Sequence, residues 1–370
     1  MLNDRRGRIK AEANRLSEFF LAQGALPVEA ASLQPAETLL DLYGEDIRAR
    51  AFVTHDAING EQMLRPDFTV PVVQMHMDEG AEPARYTYNG PVWRRQVAGS
   101  DRTTEFLQVG FELFDRANPT ASDAEVFALF AEVLAPLNLR AATGDLGILK
   151  TAVAGLSTLE SRKAALNRHI WRPKRFLQLL DRFSGKSTVP QSRLDLLTAV
   201  NTQGVAHLLA AQKNHVGLRS KAEIADRIAA LQQDATAPNI STGEVDILNN
   251  LLSLQEKSTH ALAHLREIQK EMPALGLAVD RFAERLDALD ARGIDVGSLD
   301  FEGSYGRTNM EYYDGFVFGF YAENRTDIPV IASGGRYDAL TAVLGQGRSI
   351  PAVGGVIRPE FMLSVSEGVT

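Results

Sequence analysis

The stretch Glu105-Phe-Leu-Gln-Val-Gly-Phe-Glu-Leu-Phe114 decides how the chain is read. Its period is two. Leu107, Val109, Phe111 and Leu113 line one face, and Gln108, Gly110 and Glu112 line the other, as side chains of a β-strand must alternate. An amide and a carboxylate flanking a residue without a side chain make a floor for a small polar ligand. Glu112 accepts from a ring N–H or an ammonium, and Gln108 both donates and accepts. The pattern fits the solvated face of an edge strand equally well, and this stretch alone does not choose.

Immediately upstream, Arg85-Tyr-Thr-Tyr-Asn-Gly-Pro-Val-Trp-Arg-Arg-Gln96 also alternates, with Val92, Arg94 and Gln96 against Trp93 and Arg95. The turn formers Gly99, Ser100 and Asp101 lie between the two stretches. Together they predict an antiparallel hairpin with a long loop, bringing Arg94 beside Gln108 and Glu112. A planar guanidinium there suits a carboxylate or a phosphate. The plainer alternative is a surface cation balancing Asp101 or Glu105.

Beyond this hairpin the texture changes twice. Residues 1–145 open with a helical segment and continue as strands broken by Gly and Pro. Residues 146–275 read almost wholly as helix; Val245-Asp-Ile-Leu-Asn-Asn-Leu-Leu252 shows the three-to-four residue apolar spacing. Residues 276–370 carry one more helix and then aromatic strands with Gly-rich turns. The expectation is an α+β fold: one antiparallel sheet built from both outer parts and flanked by helices, with the middle part as a helical insertion.

With 370 residues, of which 45% are hydrophobic, the chain is long enough for two or three such units. Its net charge of -8 gives no support to binding nucleic acid, which calls for a basic face. The absence of cysteine removes disulfides, thiolate metal sites and cysteine nucleophiles. No apolar run is long enough to span a bilayer or act as a signal core. A cytoplasmic protein without a cofactor is expected.

Three further segments carry candidate residues. In Met63-Leu-Arg-Pro-Asp-Phe-Thr-Val-Pro71, Asp67 and Thr69 place an acid and a hydroxyl two residues apart. They suit an ammonium, or simply cap the helix that begins near Pro71. Glu311-Tyr-Tyr-Asp-Gly315 and Ala332-Ser-Gly-Gly-Arg-Tyr-Asp338 supply Tyr313 and Tyr337, which can wall an imidazole or serve as ordinary core tyrosines. His260 and His264 stand four apart with no third ligand and read as solvated. The Gly354-Gly355 pair fits close backbone packing as well as a ligand.

In order and spacing these segments resemble the class II histidyl-tRNA synthetases. Leu64-Arg-Pro-Asp-Phe-Thr69 resembles the family's LRPEGT element, and Gly90 to Glu112 its motif 2. Glu311-Tyr-Tyr313 and Gly334-Gly-Arg-Tyr-Asp338 resemble its two histidine motifs, and Val353 to Met362 its motif 3. The resemblance implies that Asp67 and Thr69 hold the α-amino group of histidine, with Gln108 assisting. Glu112, Tyr313 and Tyr337 would bind the imidazole, and Arg94 would sit near the carboxylate or an α-phosphate.

The departures concern activation. Gln96 replaces the acid of motif 2, Phe361 the arginine of motif 3, and Arg358 the glycine three places before it. Thr308 takes the place of another arginine, with Arg307 one position earlier, and Ala31 replaces the proline of motif 1. Phosphoryl chemistry needs cations where charge develops, so the expected site binds without reacting. Only Leu363 to Thr370 follow motif 3, so no anticodon-binding domain is expected.

A synthetase relative altered in this way resembles the family of ATP phosphoribosyltransferase regulatory subunits. That resemblance implies a non-catalytic partner of a short-form catalytic subunit, dimerised within a hetero-octamer. It would bind L-histidine for feedback on the first step of histidine biosynthesis. A residual histidine-activating enzyme and an RNA-binding regulator are the rival readings.

Overall fold

Ala13, Leu16 and Phe20 recur at helical spacing along helix Leu2–Ala22 and are all buried. They cover a sheet that draws strands from both ends of the chain. In the computed structural model, residues 2–43, 47–97, 99–100, 103–211, 217–307 and 312–367 are described. Among them the strands are β1 (Leu26–Pro27), β2 (Leu33–Pro35), β3 (Val53–Asp56), β4 (Gly60–Leu64), β5 (Ala84–Trp93) and β6 (Glu105–Phe114). They continue as β7 (Arg140–Asp145), β8 (Gln255–Lys257), β9 (Asp300–Glu302), β10 (Phe316–Tyr321), β11 (Ala332–Arg336) and β12 (Ala352–Ile357).

The main sheet runs β1-β5-β6-β12-β11-β10-β7-β9-β8, and β2-β4-β3 form a small second sheet. From β5 to β7 all neighbours are antiparallel, whereas β1 on β5 and β7 on β9 are parallel. The α+β class read from the sequence is the one observed, with a mixed rather than wholly antiparallel sheet.

The two faces of the sheet are used differently. On one, Phe111 of β6 meets Phe20 at 5.3 Å between ring centroids, and Phe20 meets Phe130 of helix Pro119–Leu134 at 5.5 Å. Phe127 and Phe130 continue this aromatic layer onto Phe318 of β10. Offset and edge contacts of this kind add about 0.5–1.5 kcal/mol per pair to the gain from burial. On the other face Phe114 stacks on His76 of helix Thr69–Glu79 at 3.9 Å. Pro71 stands in the first turn of that helix, where its missing N–H costs no bond.

Buried charges tie helices to sheet. Asp123 accepts from Arg285 Nε at 3.0 Å and from Arg336 Nε and Nη2 at 2.9 and 2.7 Å. Arg285 also donates to Asp145 at 2.7 Å, and Arg336 to Asp338 at 3.0 Å. Helix Pro119–Leu134, helix Gly276–Asp290, β7 and β11 thus meet at one ion cluster.

By contacts the chain divides into Met1–Thr151 with Leu251–Thr370, and Ala152–Asn250. The insertion read as 146–275 is therefore shorter. Residues 251–275 belong with the sheet because β8 pairs with β9, and Ser258 Oγ donates to Leu299 O at 3.0 Å. A three-residue strand inside a helical run leaves no readable period. The second unit is helical, and its centre is Asp234, which accepts from Arg162 at 2.6 Å, Arg193 at 2.6 Å and Arg182 at 3.0 Å. Burial pushes the Asp234 carboxyl up, but these guanidinium bonds outweigh it and hold it at about 2.

Candidate functional site

β6 is an interior strand, paired on one side by β5 and on the other by β12. Gln108 and Glu112 are accordingly 0% exposed, which removes the reading of a solvated edge face. The Glu112 carboxylate is the centre of the site. Thr69 Oγ1 and Tyr88 OH donate to Oε1 at 3.1 and 2.9 Å, and Tyr337 OH donates to Oε2 at 2.5 Å. Burial pushes the Glu112 carboxyl up to about 7, although each of the three hydroxyls pulls it down. Thr69, expected to hold an α-amino group, thus spends its hydroxyl on Glu112.

Two glycines make this arrangement possible. A Cβ at Gly110 would lie 2.1 Å from Cζ of Tyr88, so the space above Gly110 holds the Tyr88 ring. The sequence reading assigned that space to a ligand; Tyr88, opposite Gly110 in the β5–β6 register, takes it instead. Tyr88 was missed, although it stands within the quoted Arg85–Gln96 stretch, because only the pairing register aims it at Glu112. It is held by stacking on Phe68 at 4.4 Å, and the Arg65 guanidinium covers the same phenyl ring at 4.0 Å. Across the sheet, a Cβ at Gly354 would lie 1.5 Å from Glu112 Oε2. Gly354 therefore serves close packing of a charged side chain. Gly354→Ala is expected to displace the carboxylate from Tyr337 and lower stability by about 1–3 kcal/mol. A denaturation midpoint equal to that of the wild type would mean the carboxylate has room to move.

Gln108 completes the face. Both its Oε1 and its Nε2 are buried without a hydrogen-bond partner, a state that costs about 1–3 kcal/mol per group unless something is bound there. Asp67 is buried and accepts weakly from Val70 N at 3.4 Å, so it also serves the start of helix Thr69–Glu79. Tyr313 is buried against Gly335, where an added Cβ would approach its ring to 2.9 Å. Burial, and after it the Glu112 charge, raises the Tyr313 hydroxyl above its ordinary range. Tyr312 bridges the tyrosines, edge-on to Tyr313 at 4.9 Å and to Tyr337 at 6.1 Å. Glu311 and Thr308 lie outside the described residues. His260 and His264 are exposed on their helix, His264 lying 3.3 Å from Glu256.

Arg94 stands at the far end of the same face. The hairpin places Gly90 opposite Gln108 and ends its ladder at Trp93 opposite Glu105; Arg94 N then bonds Thr104 O. Arg94 shares the face of Gln108 but sits four rungs away, roughly 13 Å along the strand. Its Nε donates to Pro66 O at 2.8 Å, and its guanidinium lies 5.6 Å from the Phe106 ring centroid. It lines a cleft with Arg358 and Phe361, and the Arg358 charge reaches Tyr313.

The Glu112 group has the donors and acceptors for recognition by hydrogen bonds. A carboxylate poised near neutrality, an amide with both ends free and three tyrosines suit a ring N–H and a polar backbone.

Residues 1–237 and 221–362 match the family model of histidyl-tRNA synthetase. The ATP phosphoribosyltransferase regulatory subunit of Brucella ovis is 31% identical over 348 residues, covering 90% of this chain and 91% of that protein. The protein of the same name from Brucella melitensis biotype 1 is also 31% identical, with 90% of each chain covered. Among solved structures, an ATP phosphoribosyltransferase regulatory subunit/histidyl-tRNA synthetase from Bacillus halodurans aligns with a TM-score of 0.67 at 21% identity, over 97% of this chain and 79% of that one. A histidyl-tRNA synthetase from Nostoc sp. PCC 7120 aligns at 0.62 and 15% identity, over 98% and 72%. These structures share the fold, and the sequence relatives narrow the family. The chain belongs to the ATP phosphoribosyltransferase regulatory subunit family, built on the histidyl-tRNA synthetase fold.

Proposed function

We propose that this chain is the non-catalytic regulatory subunit of an ATP phosphoribosyltransferase, binding L-histidine and carrying feedback to a short-form catalytic subunit. Histidine would give its imidazole to Glu112, Tyr313 and Tyr337, its α-amino group to Asp67 and Thr69, and a further contact to Gln108. The observation that carries this reading is Gln108, a buried amide with neither end satisfied, on the same face of β6 as the Glu112 carboxylate. A ligand with one ring donor and one zwitterionic end supplies what both side chains lack. Arg94, bonded to Pro66 O beside Asp67, would stand near the carboxylate.

The complex would be a cytoplasmic hetero-octamer containing dimers of this chain, acting at the first step of histidine biosynthesis. No helix among the described residues is long and apolar enough to cross a membrane. The acidic balance argues against tRNA as a partner.

Histidine can bias the complex only by the difference in its affinity for two arrangements. Glu112→Ala, co-purified with the catalytic subunit, is expected to raise the half-inhibiting histidine concentration about 10- to 100-fold, the worth of one charged hydrogen bond. Assembly should persist. Unchanged inhibition by histidine in the intact mutant complex would sink the reading.

A residual histidine-activating enzyme is the alternative, favoured by Arg94 and Arg358 lining one cleft. Histidine-dependent exchange of pyrophosphate into ATP by the purified chain would establish it in place of the regulatory reading.

A further inference from the structure

Helix Asp338–Leu344 begins directly after Tyr337, which holds its N-cap position and makes no side-chain bond to the helix. A Ser, Thr, Asp or Asn at that position would satisfy one of the free N–H groups of the first turn. Tyr337 sends its hydroxyl to Glu112 instead. The cap comes from a distant residue. The two carboxyl oxygens of Asp314, 24 positions before Asp338, accept from Asp338 N at 3.0 Å and from Ala339 N at 2.8 Å.

The Asp314 backbone belongs to the same clasp, since its N–H donates to Arg336 O at 3.0 Å. Tyr337 is therefore bonded to residue 314 through both its neighbours, Arg336 before it and Asp338 after it. Residue 313, in turn, is the other tyrosine of the pocket, buried against Gly335. One aspartate thus ties together two ring walls that come from separate segments of the chain.

With an N–H on each oxygen, the Asp314 carboxyl has no place for a proton, and the ionised form is the one that closes both bonds. Its side chain is only 13% exposed, and Lys150 of helix Leu146–Ala154 lies 3.8 Å away. Burial pushes the carboxyl up to about 6; the Lys150 ammonium opposes that shift, and the Asp338 charge adds to it. A short polar residue at 337 would cap the helix without burying a charge. The buried carboxylate is needed only because position 337 is given to a tyrosine.

We propose that Asp314 is a positioning residue for ligand recognition, holding Tyr313 and Tyr337 at the spacing that grips an imidazole in the histidine site proposed above. It acts through Tyr337, not by contact with the ligand.

A double-mutant cycle tests this, read by calorimetric titration of the purified full chain with L-histidine at pH 8, where the Asp314 and Glu112 carboxyls are both largely ionised. Asp314→Asn keeps the size but turns an NH2 group toward one of the two N–H donors, and should weaken histidine binding about tenfold. Tyr337→Phe should also weaken it about tenfold. Acting through Tyr337, Asp314→Asn should cost the double variant no more than about threefold beyond Tyr337→Phe alone, where independent effects would multiply to about a hundredfold. Asp314→Glu, which keeps the charge on a longer stem, takes the place of Asp314→Asn in the same cycle if the latter does not fold. Multiplying effects, or wild-type histidine affinity in the single Asp314 variant whatever its denaturation midpoint, would leave Asp314 a helix cap and overturn the proposal. No histidine binding by the wild-type chain would instead overturn the proposed function, and this inference with it.

Discussion

Asp123→Ala is expected to lower the unfolding free energy of the sheet-bearing unit by about 3–5 kcal/mol, the usual cost of leaving buried charges without their partner. Asp123 is 1% exposed and takes three hydrogen bonds from Arg285 and Arg336, themselves 4% and 8% exposed. Without it Arg285 keeps Asp145 alone, while its guanidinium still lies 4.7 Å from the Phe316 ring centroid. Arg336 keeps Asp338. A loss of this size corresponds to roughly 10 °C in Tm for a unit of this scale. Because Arg336 immediately precedes Tyr337, the loss should also loosen the Glu112 group. Asp123→Leu/Arg285→Leu should recover only part of the stability, since it removes one buried pair but leaves Asp145 without Arg285 and Arg336 with Asp338 alone. A shift below about 1 kcal/mol for Asp123→Ala, read by denaturant titration, would show that the cluster is not what joins these elements.

Glu112→Gln should make the stability of the chain less dependent on pH, with a definite sign. Burial raises the folded-state carboxyl from its ordinary 4.5 to about 7. Between those values the folded chain holds a proton that the unfolded chain has released. The contribution of this group is complete below pH 4.5 and is lost as pH rises through 7. Glutamine has nothing to titrate. The difference in stability, variant minus wild type, should therefore grow more positive from pH 5 to 8, approaching about 3 kcal/mol at 1.36 kcal/mol per unit. Denaturation midpoints of both proteins at several pH values measure it. Parallel curves would mean that Glu112 is ionised throughout. Since the ionised carboxylate is the better acceptor for a ring N–H, histidine affinity in the wild type should rise through the same interval.

The strand at 105–114 was legible because a period of two over ten residues needs only local geometry. The same periodicity placed Gln108 and Glu112 on one face, and the order of the motifs named the family. Asp67, Thr69, Tyr313 and Tyr337 were readable as candidates by residue type. Their roles were not: Thr69 reaches Glu112, and Tyr88 occupies the space over Gly110 that the sequence reading left to a ligand.

What only tertiary structure decided is everything set by pairing between distant segments. β12 lies some 240 residues beyond β6, yet its register puts Gly354 against Glu112 and turns an ambiguous face into a buried one. Six arginines scattered from Arg5 to Arg358 share one cleft, although no spacing between them repeats. Alternation and helical period are properties of neighbouring residues, so one chain segment displays them. Register and convergence depend on how loops close and layers pack, and those are energies of the whole molecule.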